Sequence, residues 1–151
     1  MILIDTNALI VLLVGLIDIR LFETHKRTSI YDEADFQDLL SVIGSVDQLV
    51  VLPNIWTEVD NLLNNFRGAY KYQYIEQLTS IIKASSEKYM ASTLATVNDH
   101  FIDLGLTDTL ILEHAKNCKL LVTSDSRLSD FAVAYGISVY DMVKAKNERI
   151  E

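Results

Sequence analysis

Short apolar runs alternate along this chain with longer segments of helical periodicity. The apolar runs have the length of buried strands and lie at residues 2–4, 48–52, 119–123 and 137–140. The helical segments lie at residues 8–14, 32–46, 55–66, 70–82, 92–104, 108–117, 127–135 and from 141 onward. Because a helix between two strands returns the chain for a parallel pairing, we expect a parallel sheet covered on both faces. The alternation therefore predicts an α/β fold, a three-layer α/β/α sandwich.

Composition is uniform along the chain. Half of the 151 residues are hydrophobic, and no shift in composition marks a boundary, so we expect one domain over residues 1–151. The lone Cys118 excludes an internal disulfide and favours a reducing, cytoplasmic location. The apolar stretch at 9–16 is too short for a membrane span, so no membrane partner is expected.

Glycines suggest where several helices end. Gly15 is expected to end the first helix, and Gly105 the segment that begins at Ser92. Thr107 has the character of an N-cap for the helix that follows. Residues 16–31 have no clear periodicity, and neither their role nor that of the 92–104 segment follows from the sequence.

Four acidic residues stand at the edges of four different segments, and they are Asp5, Glu58, Asp108 and Asp125. Two of them follow strands directly, and ligands of parallel sheets bind beyond the carboxyl ends of the strands. The other two lie on helices expected to begin near that same edge. Mg²⁺ and Mn²⁺ prefer oxygen ligands. The arrangement therefore predicts a divalent-metal site built from four carboxylates.

Each acid alone also has a structural explanation. Asp5 can cap the helix after it, Asp108 can favour a helix N-terminus, Asp125 can belong to a turn and Glu58 can be a solvated helix residue. Ordinary caps have no reason to converge on one edge of a sheet, and this favours the metal site. Asp130 lies close to Asp125 in the sequence, but we interpret it as a surface residue of its helix.

Other chemistries lack the residues that they need. The net charge of −8 argues against a long basic track for nucleic acid, although bound cations can reverse the local field of a carboxylate site. The five glycines never cluster into a phosphate-binding loop, and the three histidines form no zinc motif. Hydrolysis of a phosphodiester by two metal ions requires carboxylates rather than a histidine base, and this chemistry fits the inventory.

Four short motifs follow one another along the chain. The first strand ends in Asp-Thr-Asn, and the second is followed by Pro-Asn-Ile-Trp-Thr-Glu on a turn and a helix. The third motif is Leu-Gly-Leu-Thr-Asp-Thr, and the fourth is Leu-Leu-Val-Thr-Ser-Asp-Ser-Arg. In this order they resemble the four motifs of the PIN-domain nucleases, and the resemblance covers essentially the whole chain. The segments at 16–45 and 92–104 depart from the short, toxin-like members.

The resemblance implies a PIN-like fold and a metal-dependent ribonuclease that cleaves single-stranded RNA with Mg²⁺ or Mn²⁺. It implies that Asp5, Glu58, Asp108 and Asp125 bind the metal and that Asn7 and Thr123 support them. We regard Arg127, beside the fourth acid, as a candidate RNA contact. A toxin of a toxin–antitoxin pair is the biological role that the resemblance suggests. Candidate partners are RNA, a small antitoxin protein and a second copy of the chain.

Three alternatives stay open at this point. One is a PIN nuclease that processes RNA and is not a toxin. Another is a PIN-like scaffold that binds a partner without catalysis, although such a module has no reason to keep like charges together. The third is a receiver-like regulatory domain. Paired acids near the first strand and a late functional lysine are typical of that fold, whereas Asp5 stands alone and Lys119 begins its strand.

Overall fold

The central sheet has five strands, all parallel, in a computed structural model that describes residues 1–150. The strands are β1 (Ile2–Ile4), β2 (Leu49–Val51), β3 (Ser86–Glu87), β4 (Leu120–Thr123) and β5 (Val139–Asp141). Their order across the sheet is β3-β2-β1-β4-β5, and all four pairings are parallel. The predicted α/β fold with a parallel sheet is confirmed.

Eight α-helices connect and follow the strands within these residues. They are α1 (Thr6–Ile17), α2 (Glu33–Ile43), α3 (Pro53–Leu63), α4 (Ala69–Ala84), α5 (Thr93–Thr96), α6 (Phe101–Ala115), α7 (Ser126–Ala134) and α8 (Met142–Ile150). Two short 3₁₀ helices, Ile19–Glu23 and Val46–Gln48, lie beside α2 in the sequence. The predicted C-terminal helix is present, and its final residue, Glu151, lies outside the described residues.

The helices form two layers. Helix α1 contacts α2, α3 and α4, whereas α6 contacts α5 and α7. Right-handed crossovers place these two groups on opposite faces, because the chain moves outward from β1 to β3 on one side and then returns to build β4 and β5 on the other. The three-layer α/β/α sandwich is the result. Strands β1 and β4 meet where the direction of the chain reverses, which is the position where open parallel sheets bind ligands.

Helix α1 is buried on all sides. Its residues from Ala8 to Val14 are at most 1% exposed, because α1 lies between the sheet and the helices α2, α3 and α4. The expectation that Gly15 ends this helix is wrong, since α1 continues to Ile17. The ring of Phe36 packs against the Gly15 backbone in the space that a Cβ would fill. Gly15 is therefore a close-packing position and not a helix stop.

The segment at 92–104 is also different from its prediction. A single helix was expected there, but the chain forms the short α5, a turn, and then the start of α6. The apolar residues of this segment are divided between core and surface: Ala95 is buried and Phe101 and Leu104 pack against the core, whereas Val97 is 80% and Ile102 is 89% exposed. Strand β3, which has only the two residues Ser86 and Glu87, was not predicted at all.

Gly105 breaks α6 as the sequence indicated. Its φ of 78° lies in the left-handed region, and it kinks the helix three residues before Asp108. Because the backbone of Gly105 is not helical, the part of α6 that carries Asp108 starts after it, within two residues of the expected N-cap, Thr107. Among residues 1–150, each helix is too short or too polar for a membrane crossing.

Candidate functional site

The carboxyl ends of β1 and β4 open into a polar cavity of about 340 Å³. The two strands are neighbours, with Ile4 in register with Val122. Asp5 follows β1 directly, and Asp125 lies two residues after the end of β4. Glu58 enters from α3, and Asp108 enters from α6, just beyond the kink. All four predicted acids line this one cavity.

Asp5 is held firmly on the floor of the cavity. Its side chain is 5% exposed, and its backbone N–H donates to Val122 O at 3.0 Å. Oδ1 accepts a hydrogen bond from Ala8 N at 2.9 Å, so Asp5 is the N-cap of α1, and Oδ2 accepts one from Thr123 Oγ1. The Asp5 side chain therefore caps α1 and also lines the cavity.

Burial raises the pKa of Asp5 from 3.8 to about 6, even though hydrogen bonds from Thr123, Ala8 and Ser124 lower it. The negative charge of Asp108 adds a further increase. Desolvation disfavours a bare carboxylate, and a nearby acid adds repulsion. The buried, charged carboxylate of Asp5 is therefore unfavourable by itself, and binding of a proton or of a cation stabilises it.

Thr123 connects the two acids that follow the strands. This residue is fully buried, and its hydroxyl donates to Asp5 Oδ2 while accepting from Asp125 N at 2.9 Å. Asp125 in turn caps α7, with Oδ1 accepting from Arg127 N at 2.9 Å and Leu128 N at 3.2 Å. The supporting position predicted for Thr123 corresponds to this bridge between the ends of β1 and β4.

Two other acids of the cavity act on Asp108. Burial is the main reason that the pKa of Asp108 is raised from 3.8 to about 6, and the charges of Asp125 and Glu58 raise it further. Arg127 opposes this increase. The Coulomb interaction among these acids is physical evidence that Asp108, Glu58 and Asp125 face a common space.

Two arginines flank this acidic space. The side chain of Arg127 is 62% exposed, and Nη2 lies 3.9 Å from Asp103 Oδ1. Arg27 Nη1 donates to Asn7 Oδ1 at 3.3 Å, and Asn7 lines the cavity. Sequence reasoning did not place Arg27 at the site, because it belongs to the 16–31 segment without periodicity. No local signal identifies it, since only the fold brings it to Asn7.

Other polar residues near these motifs lie elsewhere. Asp130 pairs with Lys144 at 2.7 Å on the surface, outside the cavity, as its interpretation as a surface residue predicts. Glu113 accepts a hydrogen bond from Lys116 at 3.1 Å and is also bonded to Asn98. The cavity lining includes no histidine.

The phenol of Tyr31 lies close to the site, and this position was not predicted from the sequence. Tyr31 is 6% exposed, and burial raises the pKa of its phenol, with a hydrogen bond to Ser124 opposing this and the charge of Asp5 adding to it. The phenol thus lies behind the floor of the cavity rather than in it. Its position between Ser124 and Asp5 is produced by the turn before α2, which has no sequence signature.

The donor chemistry suits a hard divalent cation, since the charged groups in the cavity that are able to bind metal are all carboxylates. Within residues 1–150, however, no three His, Cys, Asp or Glu side chains approach closely enough to hold one ion together. Mg²⁺ is usually bound through one or two carboxylates, with water and substrate phosphates completing its shell. The residues therefore fit ions that the substrate helps to bind, and not a closed protein cage.

A larger open groove, of about 1030 Å³, lies along α4. Phe66, Tyr72 and Ile75 contribute its apolar surface, and Arg67, Lys71 and Lys83 lie around it. It contains no group of carboxylates. Size alone would favour this groove, but the smaller cavity brings four carboxylates together, and two of them, Asp5 and Asp108, have raised pKa values.

Comparisons with known proteins do not supply a family. No protein-family model matches the chain, and no curated protein matches it. Among solved structures, the chain is similar to a domain of a functionally unknown protein from Methanocaldococcus jannaschii DSM 2661. The two are 19% identical, the match covers 93% of this chain and 89% of that one, and the TM-score is 0.47.

Proposed function

We propose that the chain is a divalent-metal-dependent endoribonuclease of the PIN type, which hydrolyses phosphodiester bonds in single-stranded RNA. One observation carries the proposal. Four carboxylates from four separate segments line one cavity at the point where the order of the sheet reverses. Two of them, Asp5 and Asp108, have raised pKa values, as is common for groups in functional sites.

Asp5, Glu58, Asp108 and Asp125 would hold Mg²⁺ or Mn²⁺. Bound in this cavity, such ions would polarise the phosphodiester and lower the pKa of a water molecule. In the proposed reaction a water molecule attacks the phosphorus atom, and the bond from phosphorus to one bridging oxygen breaks. The products are one strand that ends in a phosphate monoester and one that ends in a hydroxyl group.

The residues around the acids prepare the cavity for this role. Thr123 fixes the Asp5 carboxylate, and the N–H groups at the start of α7 fix that of Asp125, so neither acid has to reorganise at the moment of reaction. Near pH 6, Asp5 and Asp108 are partly protonated when no cation is present, and binding of a cation would release these protons.

Arg27 and Arg127 support a phosphate-bearing substrate. Each guanidinium carries a fixed positive charge at the rim of a cavity that is otherwise acidic. Guanidinium groups pair with phosphate oxygens in a geometry that an ammonium group lacks. The choice of RNA over DNA rests on the resemblance to the PIN family.

The toxin role, an antitoxin partner and a homo-oligomer stay predictions from that resemblance. Growth arrest on expression of the parent chain, relieved in Asp5→Ala, is the result expected of a toxin. A nuclease that processes RNA for the cell would leave growth unaffected in both cases. The reaction proposed here is common to both roles.

Cleavage of a labelled single-stranded RNA tests the proposed reaction. We expect cutting with Mg²⁺ or Mn²⁺, none in EDTA, and none in Asp5→Asn, which keeps an N-cap at this position. Asp130→Asn is the matched control, because Asp130 is an exposed acid outside the cavity. Cleavage that persists both in EDTA and in Asp5→Asn would remove the basis for the proposal.

A further inference from the structure

A second cavity adjoins the acidic one. It has a volume of about 210 Å³, and it shares two lining residues, Leu106 and Thr107, with the cavity of the four carboxylates. The wall between the two cavities is therefore one turn of α6, immediately after the Gly105 kink. If the phosphodiester of a nucleic-acid strand lies against the acids, the adjacent nucleotide of the strand lies beside this wall.

The second cavity has both apolar and polar walls. Leu52, Pro53 and Leu110 give it an apolar side, while Asn54 and Ser92 are polar. Flat, apolar rings with polar edges are the ligands that such a mixture fits. The acidic cavity, in contrast, is predominantly polar and matches phosphate and cations.

Tyr89 forms part of this second cavity from the segment between β3 and α5. Its side chain is 86% exposed, so packing within the protein does not account for the aromatic ring. Met90 follows it on the same wall and is partly buried against the core. Proteins that bind single-stranded nucleic acids stack the bases on exposed aromatic rings of this kind.

Asn54 is a polar residue in the lining of the same cavity. Its Nδ2 lies 3.5 Å from Thr107 Oγ1, which is a long hydrogen bond. The carboxamide thus retains a second donor hydrogen and its oxygen as an acceptor. Asparagine side chains recognise base edges through this pairing of one donor with one acceptor.

We propose that the second cavity is a nucleobase subsite, which takes the unpaired base next to the scissile phosphodiester and stacks it on Tyr89 with its edge toward Asn54. The inference rests on the proposed function and adds its substrate specificity. A cavity of about 210 Å³ has room for one base and not for a base pair. Bases in a duplex are stacked and paired and do not enter such a cavity, so the subsite accounts for a preference for single strands.

Binding to a short, fluorescein-labelled single-stranded oligoribonucleotide tests the subsite in the Asp108→Asn background, where cutting is removed. Tyr89→Ala is expected to weaken binding by about 5- to 150-fold, the range for loss of one stacked base. Tyr89→Phe should retain most of the affinity. Tyr72→Ala is the matched control, because Tyr72 is 81% exposed and lines the groove on α4 instead.

Oligoribonucleotides with one abasic position give a second readout, which a purely structural effect of Tyr89 would not change. In the protein that retains Tyr89, we expect loss of the base at one position of the strand to weaken binding. The size of this loss should equal the loss that Tyr89→Ala causes with the intact strand. The two losses should not add, because each removes the same stacking contact. Equal affinities of Tyr89→Ala and Tyr72→Ala, or additive losses at every abasic position, would overturn the subsite.

The outcomes separate this inference from the proposed function. Metal-dependent cleavage with no effect of Tyr89→Ala on binding would leave the nuclease and remove the subsite. Binding that depends on Tyr89, without cleavage by the parent chain under any metal, would leave the subsite and remove the nuclease. A parent chain without measurable affinity for the oligoribonucleotide would overturn the subsite directly.

Discussion

Asp5 and Asp35 are both buried aspartates at the start of a helix, Asp5 as the N-cap of α1 and Asp35 in the first turn of α2, but their electrostatic surroundings are opposite. Asp35 is 4% exposed, and its carboxylate contacts Lys146 at 2.9 Å and also Arg149, both on α8. Asp5 is 5% exposed and has the acid Asp108 as a charged neighbour. One site is neutralised by the chain itself, whereas the other is left with excess negative charge.

The difference indicates which acids belong to the architecture. Around Asp35, the capping box with Asp32 and the two cations join α2 to α8, so every charge there has a partner within the protein. A buried acid beside other acids raises the energy of the fold, because desolvation and repulsion act together. Asp5 and Asp108 impose this cost at a cavity, where the cation of the proposed function would remove it.

The largest effect is expected on turnover. Asp108→Asn should lower the rate of metal-dependent RNA cleavage by more than about a hundredfold, since a lost metal ligand removes several kcal/mol of charge stabilisation. Asp35→Asn should leave the rate of the folded protein unchanged. Single-turnover cleavage, with circular dichroism as a control for folding, measures both. Equal losses in the two variants would erase the distinction between the clusters.

The next effect concerns stability at the cluster with cations. Asp35→Ala should lower the free energy of unfolding by about 2–4 kcal/mol, because it leaves Lys146 and Arg149 without their buried partner. Asp38→Ala should cost less than about 1 kcal/mol, since the Asp38 side chain is 49% exposed. Urea unfolding of both variants decides this, and equal costs would contradict the role assigned to Asp35.

A smaller effect of opposite sign is expected in the acidic cavity. The pKa of Asp108 is raised to about 6 in the fold, so the folded state binds more protons than the unfolded state between about pH 4 and 6 and loses stability as the pH rises through this window. Asp108→Asn should therefore be more stable than the parent by about 1 kcal/mol at pH 7 without metal, after allowance for solvent screening. Below pH 4 the difference should vanish.

Thermal melts of the parent and Asp108→Asn across this pH range measure that difference. Asp108 makes a suitable probe because its carboxylate accepts no hydrogen bond from the residues that the structure describes, so the amide replaces charge alone. A variant that is less stable than the parent at pH 7 in EDTA would show that repulsion does not dominate in the cavity.

The smallest effect is expected for the exposed acid on α7. Asp130→Ala removes only a surface pair with Lys144 and should change the cleavage rate by less than about twofold. Steady-state rates at saturating Mn²⁺ provide the check. A loss comparable with that of Asp108→Asn would extend the site beyond the cavity and contradict its assigned boundary.

Much of the fold follows from local sequence. The runs before Asp5, Pro53 and Asp125 predict β1, β2 and β4, because strands buried on both faces are continuously apolar. The run before Asp141 predicts the edge strand β5, which is only partly buried. Strand β3 escapes detection because it has two polar residues and no periodicity. The prediction from Gly15 is wrong because a glycine at this position allows the ring of Phe36 to pack against the helix backbone, and it does not form a turn.

The acids of the site could also be identified from the sequence, whereas the residues that surround them in the fold could not. Asp5 and Asp125 are identified by the strand ends that precede them, but the order of the sheet makes those strands neighbours. Arg27 reaches Asn7 from a segment without periodicity. Tyr89 lines its cavity from an irregular connection. Such positions depend on tertiary packing, for which a single sequence carries no local signal.

Calorimetric titration with Mn²⁺ tests the central claim most directly, namely that the four carboxylates share divalent metal. The parent should bind Mn²⁺ and release protons near pH 6, where Asp5 and Asp108 are partly protonated, and Asp108→Asn should bind at least about tenfold more weakly. Asp35→Asn should bind as the parent does. Equal Mn²⁺ affinity in the parent and Asp108→Asn, without proton release near pH 6, would contradict the account.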